Sequence, residues 1–287
     1  MTVLKATVAP GLQLRACGVT DVGRQREHNE DSCSMVIDRG LFVVADGMGG
    51  HQAGDVASRL ATSLISEFFE NLSPDEQTWP SHFDRNLSEE ENSLLTGIHL
   101  ANRTIFERSG QNRALHGMGT TVVTALFSER RHVAYFGHVG DSRAYRVRAG
   151  GIEQLTRDHS LQNEPFPNMS EAERAELPRN VITRALGMDG HVAVDVTKSD
   201  VLAGDAYLLC SDGLSSMVDD DSMLAIILST NDIELACNEL IRAANEAGGE
   251  DNITAILVRV DVAPNALEEA STLEMGPDTM RKLGRTH

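Results

Sequence analysis

Antiparallel β-sheets packed together, with helices outside them, form the α+β arrangement this chain predicts. Three features carry that expectation. β-forming runs are numerous, several follow one another with no helix between them, and separate stretches place apolar residues at helical spacing.

Residues 1–13 read as a loose lead-in. The first strand is expected over 14–19. Residues 35–37 and 41–45 flank Asp38-Arg39-Gly40 as a hairpin. Between Gly47 and Gly54 four glycines mark a loop held close to a neighbour. Residues 55–72 repeat Val56, Leu60, Leu64 and Phe68 at helical spacing, and 89–109 do the same through Leu94, Ile98, Ala101 and Ile105. The stretch 73–88 between them carries two prolines and is a loop. Strands are expected over 120–127, 133–139, 142–148, 192–196, 207–210 and 253–262. The segment 162–180 holds three prolines and many acids, so a loop is expected, with one helical turn at 170–175. Helices are expected over 220–229 and 232–247, the second with Leu235, Ala236, Leu240 and Ala243 on one face. Residues 263–287 are polar, lack periodicity and read as a flexible tail.

Composition narrows the function. The 287 residues suit one large domain or two small ones. Hydrophobic residues make up 41% and charged residues 24%, ordinary for a globular protein, while aromatics at 4% imply an aliphatic core. A formal net charge of −18 offers no basic stripe to offset phosphate repulsion, which argues against nucleic acids and anionic membranes. The four cysteines, Cys17, Cys33, Cys210 and Cys237, form no CxxC pair and read as buried thiols. No basic-then-apolar leader and no apolar run near about 18 residues is present, so a cytoplasmic protein off the membrane is expected. A monomer is expected.

The acids carry the chemistry. Asp46-Gly47 ends the apolar run 41–45, and Asp212-Gly213 follows the run 207–210 after Ser211. Asp141 follows 133–140, and Asp251 precedes 253–260. Any one Asp-Gly after a strand is more often only a turn. Several strands with a carboxylate at one end can converge into an acidic cluster, and hard divalent cations take oxygen ligands of that kind. A carboxylate cage for Mg²⁺ or Mn²⁺ is the chemistry expected. No GxxxxGK[ST] run is present, which removes a kinase or NTPase reading.

Eight stretches in order complete the pattern: Arg26-Glu27-His28-Asn29-Glu30-Asp31-Ser32, Val44 to His51, Gly119-Thr120-Thr121, Gly137 to Arg143, Leu155 to Ser160, Ile182 to Gly187, Ser211-Asp212-Gly213-Leu214 and Asp251-Asn252-Ile253-Thr254. The chain resembles the metal-dependent type-2C protein serine/threonine phosphatases in their bacterial form, over roughly residues 14–262. That resemblance implies a central antiparallel β-sandwich flanked by helices on both faces (α-β-β-α), with 14–262 as the catalytic domain between the lead-in 1–13 and the tail 263–287. It implies two Mn²⁺ or Mg²⁺ ions at one end of the sandwich. Asp46 bridges them, Asp212 and Asp251 complete the first, and Glu30 with the Gly47 carbonyl serves the second. Asp31 orients metal-bound water, Arg26 grips the substrate phosphate, and Asp141 with Asp212 offers a third, weaker metal position.

The physical reason stands beside the resemblance. Two cations lower the pKa of a shared water and hold the attacking and leaving oxygens. The four charges of Glu30, Asp46, Asp212 and Asp251 are cancelled by two divalent ions. The phosphate then needs a guanidinium, which Arg26 supplies as a planar fork. Direct attack by a metal-bridging hydroxide on phosphoserine or phosphothreonine of a protein is the expected route, opposing a cognate bacterial Ser/Thr kinase. Met48 stands where animal-type members carry a histidine and cannot donate a proton. His51 lies close in sequence, and the general acid stays unassigned. The stretch 162–180 corresponds to the flap beside the active site, where substrate choice is expected to reside. Two rivals remain: a non-catalytic phosphoprotein-binding scaffold, which would lose metal acids, and a phosphodiesterase, disfavoured by the charge.

Overall fold

Two six-stranded sheets lie face to face in a computed structural model that describes residues 3–8, 11–49, 53–72, 83–164, 166, 169–170, 173, 177–178 and 181–264. The strands are β1 (Leu4–Val8), β2 (Leu12–Asp21), β3 (Asp31–Val36), β4 (Leu41–Met48), β5 (Gly119–Thr120), β6 (Val122–Phe127), β7 (Val133–Val139), β8 (Arg143–Arg148), β9 (Gly151–Gln154), β10 (Asp195–Asp200), β11 (Ala206–Cys210) and β12 (Ile253–Val262). The helices are α1 (Ala53–Glu70), α2 (Glu89–Gln111), α3 (Asp212–Ser215), α4 (Asp220–Ser229) and α5 (Ile233–Glu246). One sheet runs β1-β2-β12-β11-β8-β9. The other runs β10-β7-β6-β4-β3, with β5 paired to β4, and every pairing is antiparallel.

Burial explains the layers. Strands covered on both faces read as near-continuous apolar runs, which is why 41–45, 122–127 and 255–258 show no polar alternation. Between the sheets Leu14, Phe42, Val44, Val123, Phe136, Tyr207 and Ile256 interdigitate. Cys17, Tyr145, Leu208 and Leu257 face Leu240 and Cys237 of α5 on one outer side, while Leu41, Val43 and Val122 face Ile65 of α1 and Ile98 of α2 on the other. The result is the four-layer α-β-β-α arrangement. α2 starts at a capping box in which Ser88 and Glu91 satisfy each other's backbone N–H, and Asp219 and Asp232 cap α4 and α5.

Several expectations need correction. The lead-in is not loose, because Leu4–Val8 pairs along β2 and Val8 sits in the inter-sheet core. Five residues with little alternation leave no periodic signal. The strand expected over 192–196 lies at Asp195–Asp200, in register with β7 from Asp195↔His138 to Asp200↔Val133. It is a half-exposed edge strand of polar residues, and backbone pairing rather than apolar alternation defines it. β9 and the single turn α3 were not expected. The core is not purely aliphatic either. Four aromatics lie at its centre, where Phe42 and Phe127 meet edge to face at 5.7 Å and Tyr207 packs on Phe127 and Phe136. All four cysteines are free thiols, and three are buried. Among the described residues no helix is long and apolar enough to cross a membrane. The expected turn at 170–175 and the tail from 265 onward lie wholly or largely outside the described residues.

Candidate active site

Antiparallel pairing gathers the acids. Asp31 opens β3 and Asp46 lies near the end of β4, and the two are register partners. Asp212 follows β11 and Asp251 precedes β12, and these strands pair from Cys210↔Ala255. Asp141 lies in the turn between β7 and β8. In an antiparallel ladder the end of one strand meets the start of the next, so five acids spread over two hundred positions share one end of the sandwich.

Asp31 is buried, while Glu30, Asp46, Asp141, Asp212 and Asp251 are half-buried. Backbone crossing is tight beneath them. A Cβ on Gly47 would come 2.2 Å from the Gly54 carbonyl oxygen and 2.5 Å from that of Glu30, so no larger residue fits. The Glu30 carboxylate lies against Gly54, 2.8 Å from where a Cβ would stand. The Asp46 carbonyl accepts from the Thr121 N–H at 2.8 Å and the Thr120 hydroxyl at 2.8 Å.

Two positions essential to this geometry escaped the sequence reading as site residues. Asn252 accepts from the Glu30 N–H at 2.7 Å and donates to the Val22 and His28 carbonyls at 2.9 Å each, fixing the segment that bears Arg26 and Glu30. The Ser211 hydroxyl donates to Asp31 Oδ2 at 2.7 Å. The signal was available in Ser211-Asp212 and Asp251-Asn252, polar residues beside strand-end acids, but a long-range hydrogen bond leaves no local pattern. Arg26 lies at the site, where its guanidinium is bonded to Asp251 at 2.7 Å. The guanidinium is exposed and the carboxylate half-buried, so the solvent-screened pair contributes about 1 kcal/mol at most and can be exchanged for another anion. His51 lies outside the described residues.

Burial dominates the electrostatics, and charge crowding adds to it. Burial, then the charges of Asp31 and Asp212, hold the Asp46 carboxyl well above the usual range, and Asp46 and Asp212 lie close enough to share a proton. Burial raises Asp31 to about 7 against the Ser211 hydrogen bond, with Asp212 and Asp251 adding to it. Burial and then Asp212 raise Asp141 to about 7. Burial also raises Glu30, opposed by Arg26. Asp31 Oδ1 and Asp212 Oδ1 are buried with no hydrogen-bond partner among the described residues. Clustered, orphaned carboxylate oxygens are a donor set suited to hard divalent cations.

The sign of the pH dependence follows. An unfolded carboxyl releases its proton near 3.8, whereas folded Asp31 and Asp141 release theirs near 7. Across that interval the folded chain binds more protons, so these groups make the cation-free protein less stable as pH rises. Thermal unfolding of the chelator-treated protein is expected to show this contribution as a falling midpoint from pH 5 towards about 7. Added Mn²⁺ should stabilise more at pH 7 than at pH 5, since ligation displaces protons.

The tightest group of metal-donor atoms among the described residues lies elsewhere: His138, His159 and Asp195 bring theirs within 4.8 Å of one another. Its hydrogen bonds oppose ligation. His159 Nδ1 accepts from the Gly140 N–H at 3.1 Å, which puts the ring proton on Nε2, facing Asp195 Oδ2 at 3.2 Å. The Arg184 guanidinium lies 3.1 Å from Asp195 and repels a cation. The stacked rings of His138 and His159 brace the turn that bears Asp141.

Comparison with known proteins decides the family. Residues 22–257 match the family model described as protein phosphatase 2C. The chain belongs to the protein phosphatase 2C family. It is 38% identical over 254 residues to the serine/threonine phosphatase stp of Listeria monocytogenes serotype 4b, covering 85% of this chain and 94% of that protein. The Mycobacterium tuberculosis serine/threonine phosphatase PstP/Ppp superposes with a TM-score of 0.72 at 31% identity, covering 86% of this phosphatase and 99% of its own chain. The catalytic domain of PstP in complex with 2 manganese ions superposes at a TM-score of 0.70 and 31% identity, covering 87% and 99%. The phosphatase is thus an enzyme of the serine/threonine protein phosphatase class, as the eight stretches implied.

Proposed function

We propose that this phosphatase removes phosphate from phosphoserine and phosphothreonine of proteins with the help of Mn²⁺ or Mg²⁺, as the antagonist of a Ser/Thr protein kinase in the cytoplasm, and that residues 14–262 are its catalytic unit. The convergence of Asp46, Asp212, Asp251 and Glu30, with buried oxygens left unpaired, is the observation that carries the reading. In this reading Asp46, Asp212 and Asp251 would hold one cation, and Asp46 with Glu30 and the Gly47 carbonyl would hold the other. Asp141 with Asp212 suits a third.

When bound, two divalent cations lower the pKa of a shared water and offset the negative charge of the phosphate. The protein supplies the rest. Arg26 exchanges Asp251 for two phosphate oxygens, and its planar fork fixes their orientation. Asp31 Oδ1, buried and with no hydrogen-bond partner among the described residues, would in its ionised form take the proton of the attacking water, while the Ser211 hydroxyl donates to Oδ2. Asn252 keeps Arg26 and Glu30 in register with Asp251. The thioether of Met48 leaves the proton for the departing alkoxide to another donor.

Hydrolysis of a phosphothreonine peptide should require Mn²⁺ or Mg²⁺, vanish with EDTA and return with added cation. Diester substrates should react far more slowly than monoesters. Tight phosphopeptide binding with no turnover at saturating Mn²⁺ would favour a scaffold role instead.

A further inference from the structure

We infer that the polar cavity beside Asp141 is a subsite for a second anionic group of the substrate, a carboxylate or a further phosphoryl group, carried a few residues from the phosphate being removed. This rests on the phosphatase reading above and extends it to substrate choice.

The cavity measures about 380 Å³ and is walled by polar side chains, among them Arg143, Gln154, Arg157, Asp158, Ser160 and Asn163. It belongs to the same turn as the acid cluster. Arg143 stands two positions after Asp141. The stretch 155–159 is hydrogen-bonded along that turn, with Leu155 N–H to the Ala144 carbonyl at 2.8 Å and His159 N–H to the Gly140 carbonyl at 2.8 Å. Asp158 is near enough for its charge to act on Asp141. An extended peptide advances about 3.3 Å per residue, and the proposal places a residue flanking the phosphorylated one against this wall.

Hydrogen bonding sets the sign of the ligand. Asp158 is the carboxylate of the group, and its oxygens are already occupied. Arg143 Nε reaches Oδ1 at 3.0 Å and Oδ2 at 3.1 Å, Arg143 Nη2 reaches Oδ2 at 2.8 Å, and Gln154 Nε2 reaches Oδ1 at 2.9 Å. An entering ammonium or guanidinium would have to displace these donors to reach that carboxylate. Arg157 is in the opposite condition. It is exposed, spends one N–H on the Asn163 carbonyl at 2.7 Å, and is paired with no carboxylate among the described residues. Arg143, Arg157 and Asp158 together leave one positive charge over, in a chain whose formal net charge is −18. A guanidinium with no carboxylate partner in a polar recess fits a carboxylate or phosphate.

The test uses phosphothreonine peptides in which alanine, glutamate, lysine or a non-hydrolysable phosphonate analogue of phosphoserine occupies each flanking position in turn. kcat/KM is read with Mn²⁺ present. At one position glutamate and the phosphonate should outperform alanine about tenfold through KM. A larger gain for the phosphonate assigns the site to a second phosphoryl group, and an equal gain assigns it to acidic residues. In Arg157→Ala the acid-to-alanine ratio should fall towards one, in Arg157→Lys part of it should remain, and in Arg157→Glu the preference should turn towards lysine. The subsite is overturned if no position favours an acid in the wild-type enzyme, or if the ratio is the same in Arg157→Ala and Arg157→Glu as in the wild type. A wild-type enzyme that hydrolyses none of the peptides with Mn²⁺ would overturn the phosphatase reading itself, and the subsite with it.

Discussion

Asp212→Asn is expected to lower turnover of a phosphothreonine peptide by about 10³-fold or more while raising the stability of the cation-free protein. The two effects have one cause. The Asp212 carboxylate has a buried oxygen without a partner, and its charge helps raise Asp31, Asp46 and Asp141. An amide of the same shape removes that repulsion, and it can still hydrogen-bond to Asp46. Relief on the order of 1 kcal/mol corresponds to a midpoint about 2 °C higher for a chain of this size. On the proposed reading, the same change would deprive the cations of an anionic ligand and the reaction of its electrostatic support. Paired measurements of kcat with Mn²⁺ and of thermal unfolding in chelator check both. An active variant, or one that is inactive only because it unfolds, would contradict the role given to Asp212.

Asn252→Ala should do the reverse to stability. Its side chain is buried and makes hydrogen bonds at 2.7, 2.9 and 2.9 Å to three backbone groups of the segment 22–30. Removing it leaves one N–H and two carbonyls to find new partners, a loss of about 3 kcal/mol in urea unfolding. Arg26 and Glu30 ride on that segment, so turnover at saturating Mn²⁺ should fall about 10²-fold through misplacement rather than through lost chemistry. Asn252→Asp preserves the acceptor for Glu30 but not the two donors, and should lie between. Wild-type kcat in Asn252→Ala at saturating Mn²⁺ would show that the segment is held by other contacts.

What was legible in the sequence is what strand order encodes. Apolar runs that end in acids mark strand tips, and antiparallel pairing brings such tips together, so Asp46, Asp141, Asp212 and Asp251 could be named before any coordinates. The outer helices were visible because each buries one stripe. The misses share a physical origin. β1 and β10 are held by backbone pairing at sheet edges, and their side chains carry little of the two-residue period. Asn252 and Ser211 act through hydrogen bonds that span 222 and 180 positions, which no local spacing reveals. The pairing of Arg26 with Asp251 likewise spans 225 positions and depends on how a loop folds back over β12. Scarce aromatics suggested an aliphatic core, yet the centre of a sandwich is where a few large rings bury most area.

The central claim is that these strand-end acids gather to hold divalent cations. Anomalous diffraction from crystals soaked in Mn²⁺ tests it most directly. The expected result is a pair of manganese peaks bridged by Asp46, one against Asp212 and Asp251 and the other against Glu30 and the Gly47 carbonyl. Manganese at His138, His159 and Asp195 with none among the acids, or no ordered manganese at all, would contradict it.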